Sequence, residues 1–432
     1  MSKGVNTSND TNKDTIIGVL LMIKNEAKSI AVTLNSTKHY FKHIIVYDTG
    51  STDNTIHIVK ECCRKNNQIL HLKQGLFIGF PESRNESLEF AESVNVDKLI
   101  LMDAGDEFKS TYKPNDFLNI INTFPYTCGI VKQQWLMSHN TGNTNTTNLE
   151  EHSDIRFICN HKGLRYDVDY PVHEMINYDA TDDTDSSGTS NSTTHSIATI
   201  TDIFLLYQDR VKYGGSTELR YIKDIDLLLK AKPHKRNLFF LAQSYMSIND
   251  YHNGYKYNLL CIDADNVKVG VAGGGAGGEG GGKGMGGSSI DNSIGDNTTS
   301  YIRAGFCAMM CHFSEDKIIN NLVISIKINK DKSIEPPIDP YIYILKYYMD
   351  TNKPEQALPY IDDLFKLDIK KQECNKNLNP YFYDYTRWNL ISVICLMCNQ
   401  KLDKGYQALN KIIHYGKAND LQNMKMYKTI ME

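Results

Sequence analysis

The segment Lys42–Thr55 restricts the fold more than any other stretch of the chain. His43-Ile-Ile-Val-Tyr47 is an unbroken β-branched and aromatic run that reads as a buried strand. It stops at Asp48-Thr49-Gly50-Ser51, a polar turn, and a helix begins near Asp53. In an open α/β sheet ligands collect at such a place, because the strand's carboxyl end aims its loop into the crevice and the helix offers free N–H groups. Asp48 is therefore the first residue to suspect of holding a ligand.

Other apolar runs repeat the arrangement. Ile16–Ile23 predicts a first strand, closed by Lys24-Asn25-Glu26, with helical spacing from Ala27 to Thr37. Gln68–Leu72 is a weaker third strand, Pro81–Glu92 a helix started by Pro81 and Glu82, and Lys98–Met102 a fourth strand ending in Asp103-Ala-Gly-Asp-Glu107. Strands separated by helices imply a largely parallel sheet with helices on both faces.

Composition narrows the function classes. A chain of 432 residues, 41% hydrophobic, holds two or three domains, and its net charge of -4 with no basic stripe gives nucleic-acid binding little support. Residues 1–14 are polar and without periodicity, so a disordered tail rather than a signal is expected, and no apolar run reaches about 18 residues. The expectation is a cytoplasmic protein with no membrane span. The ten cysteines are scattered, and Cys395-Leu-Met-Cys398 lies in an apolar helical pattern, as buried thiols do.

The acidic cluster Asp103, Asp106 and Glu107 is the second chemical feature. Carboxylates at the end of a buried strand are costly unless hydrated, paired or bound to a cation, and Mg²⁺ or Mn²⁺ takes oxygens from one or two carboxylates plus substrate phosphates. The plainer reading is an acidic turn capping the next element.

Leu21-Met-Ile-Lys-Asn-Glu26, Val46-Tyr-Asp-Thr-Gly-Ser-Thr-Asp-Asn-Thr55, Ser83-Arg-Asn-Glu86 and Leu101-Met-Asp-Ala-Gly-Asp-Glu107, in this order, resemble the family 2 glycosyltransferases of GT-A fold. The resemblance implies a Rossmann-like, mostly parallel α/β domain that binds a nucleotide-sugar, a UDP-sugar first. Asp48 would contact the base or ribose, with Asn25, Glu26, Ser51 and Asp53 lining the same pocket. Arg84 and Asn85 would lie near the diphosphate, and Asp103 on the donor. The family's Asp-x-Asp metal motif would fall on Asp103 to Asp106 and hold Mn²⁺ or Mg²⁺. This chain has one residue more there: either Gly105 bulges and both aspartates converge, or Asp106 and Glu107 take the role.

Tyr126–Leu136 reads as a further strand, and Asn140–Asn148 as an Asn/Thr-rich surface loop within an insertion at about 140–152. Arg156–Tyr166 and Pro171-Val-His-Glu174 resemble the second half of the same catalytic domain. His173, returned to the crevice, could give the metal a nitrogen ligand or hydrogen-bond the diphosphate. Inverting transfer needs a carboxylate base within reach of the acceptor hydroxyl; Glu174 and Asp154 are the candidates, and the sequence leaves both open. Residues 179–200 are a second low-complexity insertion, and Thr201–Tyr207 a strand that closes a domain of residues 15–212.

From residue 213 to 432 the character is all-α. Glu218–Lys230 is amphipathic, and hairpins of tetratricopeptide-like spacing occur at 237–255, 341–358 and 388–413, as in an α-solenoid that could recruit a protein partner. A glycine-rich insertion at about 264–300 interrupts them. Its Gly277–Lys283 has the frame of a phosphate loop, but Gly284 stands where Ser or Thr belongs and no strand leads in. The reading is a nucleotide-sugar transferase acting on a glycan or protein acceptor. Its rival is a catalytically weakened sheet domain whose repeats bind a protein or glycan.

Overall fold

The computed structural model describes residues 15–140, 145–177, 195–213, 218–270, 297–368 and 385–431. The chain divides into two compact units, Met1–Ser216 and Thr217–Glu432.

The first unit is built on a nine-stranded sheet of order β3-β2-β1-β4-β7-β6-β11-β5, with β10 also on β6. Its strands are β1 (Ile17–Ile23), β2 (His43–Asp48), β3 (Ile69–Gln74), β4 (Lys98–Met102), β5 (Asp106–Lys109), β6 (Cys128–Asn140), β7 (Asn145–Cys159), β10 (Ile197–Thr199) and β11 (Leu205–Asp209). β8 (Arg165–Tyr166) and β9 (Ile176–Asn177) form a separate antiparallel pair. β1, β2, β3 and β4 run parallel, as the apolar runs of β1, β2 and β4 and their separation by helices predict, whereas β7 is antiparallel to both β4 and β6, and β5 to β11. The sheet is mixed and mostly parallel.

The two-residue period of the strands gives each face its own core. Val19, Leu21, Ile23, Ile44 and Val46 meet Ile30 and Leu34 of α1 (Ile30–Thr37) and Val59 of α2 (Thr55–Lys65) on one side. Leu20, Ile45, Leu99 and Leu101 meet Leu88 and Ala91 of α3 (Phe80–Glu92) on the other. α4 (Pro114–Thr123) adds Phe117 and Ile121 to the first.

Three expectations change. Asn145–Asn148 belong to β7, paired with β6 from Met137 to Asn140, rather than to a loop: cross-strand pairing, helped by the β-branched Thr146 and Thr147, overrides the asparagines, which disfavour strands. The strand expected at Thr201–Tyr207 begins only at Leu205. Helix α1 starts at Ile30, since Ala27–Ser29 form a turn with Ser29 N–H on the Glu26 carbonyl. The tail at 1–14, most of the insertion at 179–200 and the glycine run at 271–296 lie outside the described residues.

The second unit is helical in all its described parts. Glu218–Lys230 leads into the paired helices Lys235–Ser247 and Tyr251–Gly270, then Thr298–Met310 with Glu315–Asp331. Asp339–Asp350 packs on Pro354–Ala357 and Leu358–Lys366, Arg387–Cys398 pairs with Leu402–Ile412, and Ala418–Met431 ends the chain's described part. The hairpin at 298–331 is one more than the sequence reading found. It closes tightly at Gly305, where a Cβ would lie 2.6 Å from Leu322 Cγ. Among the described residues no helix is long and apolar enough to cross a membrane.

Candidate active site

The parallel register pairs Ile23 with Asp48 and Leu21 with Met102, so β1, β2 and β4 end along one edge of the sheet. The loops leaving that edge carry most of the expected residues. Asn25 adopts the left-handed conformation (φ 57°), which asparagine tolerates. Its N–H donates to Ser51 Oγ at 2.9 Å, and its Oδ1 accepts from Thr52 N–H at 2.7 Å. Asp53 accepts from Thr55 N–H (3.0 Å) and Ala27 N–H (3.3 Å), and the Thr55 hydrogen bond lowers its pKa. Glu26 donates its N–H to Thr55 Oγ1 at 2.7 Å and accepts from Ser29 Oγ at 2.5 Å, while burial raises its carboxyl pKa. The two loops are thus one interlocked wall.

Asp48 is the innermost piece of that wall. It is 0% exposed, accepting from Ser51 N–H (3.1 Å) and Ser51 Oγ (2.5 Å) on Oδ1 and from Gln74 Nε2 (3.0 Å) on Oδ2. A ligand that reaches Asp48 must first displace Gln74 or turn the Ser51 hydroxyl.

A charged cluster forms beside it at the end of β4. Because β7 runs antiparallel and pairs Phe157 with Ile100, the preceding residue, Arg156, comes level with the end of β4. Arg156 Nη1 donates to Asp103 Oδ2 at 3.0 Å, and Arg84 Nη2, from α3, to Asp103 Oδ1 at 3.2 Å. Glu174 Oε2 lies 3.9 Å from Arg84 Nε, and Asp154 Oδ2 lies 3.7 Å from Arg156 Nε. Burial alone would raise the pKa of Asp103, but Arg156 and Arg84 outweigh it and hold the carboxylate well below its usual range. At Glu174 burial wins over Arg84, and the carboxyl pKa is raised.

The loop that carries Glu174 is clamped to α3. Asn85 Nδ2 donates to the Tyr166 carbonyl (2.9 Å), and Asn85 Oδ1 accepts from Tyr166 N–H (2.6 Å). Arg165 makes a two-pronged pair with Glu92 at 2.9 and 2.8 Å. Asn85, expected near a diphosphate, is therefore occupied in holding β8.

Gly105 (φ 97°) takes up the extra residue of Asp103-Ala-Gly-Asp-Glu107, a conformation that favours glycine. Its N–H donates to Thr33 Oγ1 at 2.9 Å. The turn folds Asp106 inward, 2% exposed, with Oδ2 accepting from Asp103 N–H at 2.8 Å. Burial and then the Asp103 charge push the Asp106 pKa up to about 7.

These residues do not fit Mn²⁺ or Mg²⁺ as they are arranged. Both Asp103 oxygens are held by guanidiniums, Asp106 turns to a backbone N–H, and His173 is exposed in a left-handed turn. Among the described residues no three His, Cys, Asp or Glu side chains are grouped to hold a metal ion. A hard cation needs such oxygens free to converge on it. The expected set of Asp103, Asp106 and His173 is not assembled.

Sequence reading missed Arg156, Tyr166 and Gln74 as parts of the site. Arg156 had a signal: it is the one cation in the run Ile155-Arg-Phe-Ile158, and a charge between buried strand residues requires a partner.

Residues 19–170 match the family Glycosyl transferase family 2. Among solved structures, S. aureus TarS 1-349 is similar at 13% identity over 74% of this chain and 92% of that one, with a TM-score of 0.33. The same protein in complex with UDP-GlcNAc gives 12% identity over 79% of this chain and 89% of that one, TM-score 0.30. Glucosyl-3-phosphoglycerate synthase from Mycobacterium tuberculosis, in complex with Mn²⁺, UDP and glucosyl-3-phosphoglycerate, gives 19% over 28% of this chain and 44% of that one, TM-score 0.21. Superpositions this loose carry no argument about chemistry. No curated protein matches the chain.

Proposed function

We propose that this chain, whose residues 19–170 are the domain of a family 2 glycosyltransferase enzyme, moves a sugar from a nucleoside-diphosphate donor to a hydroxyl of a glycan or protein, with inversion. A UDP-sugar is the donor we put first. The observation that carries the reading is Glu174: a carboxyl whose pKa burial raises, beside Arg84, in a loop clamped to α3 and next to the end of β4. A buried carboxylate held in this way is placed to accept the proton of an acceptor hydroxyl.

In the proposed step the acceptor oxygen attacks the anomeric carbon as Glu174 takes its proton. The bond from that carbon to the diphosphate oxygen breaks, and the electron pair leaves with the diphosphate. Asn25, Glu26, Ser51 and Asp53 would form the wall on the nucleoside side, with Asp48 reached once Gln74 moves aside. Asp154, 52% exposed on the far side of Arg156, is the second candidate for the base. The helical hairpins of the second unit, read as tetratricopeptide-like, would recruit a protein acceptor or partner.

Release of UDP from UDP-GlcNAc and other UDP-sugars tests the reading. Glu174→Gln should slow transfer about a hundredfold or more while UDP still binds. A normal rate in Glu174→Gln with loss in Asp154→Asn would move the base to Asp154. Donor binding without turnover would favour a nucleotide-sugar-binding module, and neither binding nor release would sink the proposal.

A further inference from the structure

Arg84 and Arg156 reach one carboxylate from two elements, α3 and β7, each on its own oxygen. Their side chains are 17% and 12% exposed. Nε of each is buried with no hydrogen-bond partner among the described residues, because Glu174 and Asp154 stand at 3.9 and 3.7 Å, beyond hydrogen-bond reach. Two guanidinium forks are therefore fixed about one small anionic group, with donors left over. A guanidinium fork matches phosphate oxygens as well as carboxylate oxygens. Together the two carry the charge of one divalent cation.

Resting on the transferase reading above, we propose that Arg84 and Arg156 bind the diphosphate of the donor where a divalent cation would otherwise be needed, so that donor binding requires no metal ion. Asp103 keeps the two forks apart and aligned until the diphosphate arrives. As the bond to the anomeric carbon breaks, the electron pair settles on a phosphate oxygen that accepts hydrogen bonds from the forks, and no proton leaves either arginine. Fixed charges of this kind act where negative charge develops without having to reorganise.

Calorimetric titration of the full chain with UDP, in EDTA and then with Mn²⁺ in excess, tests this. The dissociation constant should agree within about threefold between the two conditions, and it should weaken as ionic strength rises. Arg156→Gln should lose about tenfold or more in UDP affinity, with Arg156→Lys between the two because a point charge replaces a fork. If Arg156→Gln does not fold, the lysine variant gives the same comparison. UDP binding only with Mn²⁺, or wild-type affinity in both variants, would overturn the inference and leave the transferase reading intact. Absence of UDP binding in both conditions would overturn the transferase reading itself.

Discussion

Arg387 in the helical unit and the Arg84–Arg156 pair in the sheet unit are buried guanidiniums with different partners. Arg387, 1% exposed, donates from Nη2 to the carbonyls of Leu364, Phe365 (2.9 Å) and Leu367 (3.0 Å) and lies 4.1 Å from the Trp388 ring. Those carbonyls close the helix Leu358–Lys366, whose last turn has no intrahelical donors. Arg84 and Arg156 are held by carboxylates on side chains. A carboxylate can give way to another anion with a change of rotamer, whereas helix-end carbonyls can be released only by unwinding the helix. Burial alone does not separate a structural arginine from a binding one; the kind of partner does.

The largest expected effect that would break this contrast is on turnover. Arg84→Leu should cut transfer about a hundredfold or more, since a charged donor facing the developing negative charge is lost, and it should lower the melting temperature less than Arg387→Leu does, because Asp103 keeps Arg156 as a partner. A fall in stability equal to that of Arg387→Leu would show Arg84 to be structural as well. Arg387→Leu itself should cost about 3 kcal/mol, from hydrogen bonds to a charged group and orphaned carbonyls, read as a lower denaturant midpoint with UDP affinity unchanged.

A smaller effect concerns pH. Asp339, at the start of Asp339–Asp350, is pushed up to about 6 by burial. Its folded pKa lies above the unfolded value, so its contribution to stability is complete below about pH 4 and is lost as pH rises through 6. Asp339→Asn should match the wild type in acid and melt several degrees higher above pH 7; equal melting at both pH values would refute the assignment. The smallest effect is at the surface: Lys330 pairs with Asp363, both about half exposed, and Lys330→Ala should change stability by less than about 1 kcal/mol in denaturant melts.

Much of this architecture is legible in order along the chain, because β1, β2 and β4 are unbroken apolar runs and Glu218–Lys230 has a clear helical period. The boundaries of β4 and of that helix are read to the residue. What is not legible is long-range. Nothing local says that β7 should turn antiparallel beside β4, and that pairing alone sets Arg156 against Asp103 across 53 residues. The hairpin at 298–331 did leave a trace in the spacing of Ile318, Leu322 and Ile326, the stripe that enters its core. At the site, the sequence picks out Asp103, Arg84 and Glu174 but not how their charges are balanced. Balance depends on burial and on which oxygen faces which nitrogen.

In a pleated chain, adding one residue exchanges the inward and outward sides of everything that follows until a turn absorbs it. Gly105 is such a residue. Through it, Asp106 becomes a latch on the backbone N–H of Asp103 instead of a second outward carboxylate. One glycine thus lets the loop close on itself and leaves its outer carboxylate to the arginines.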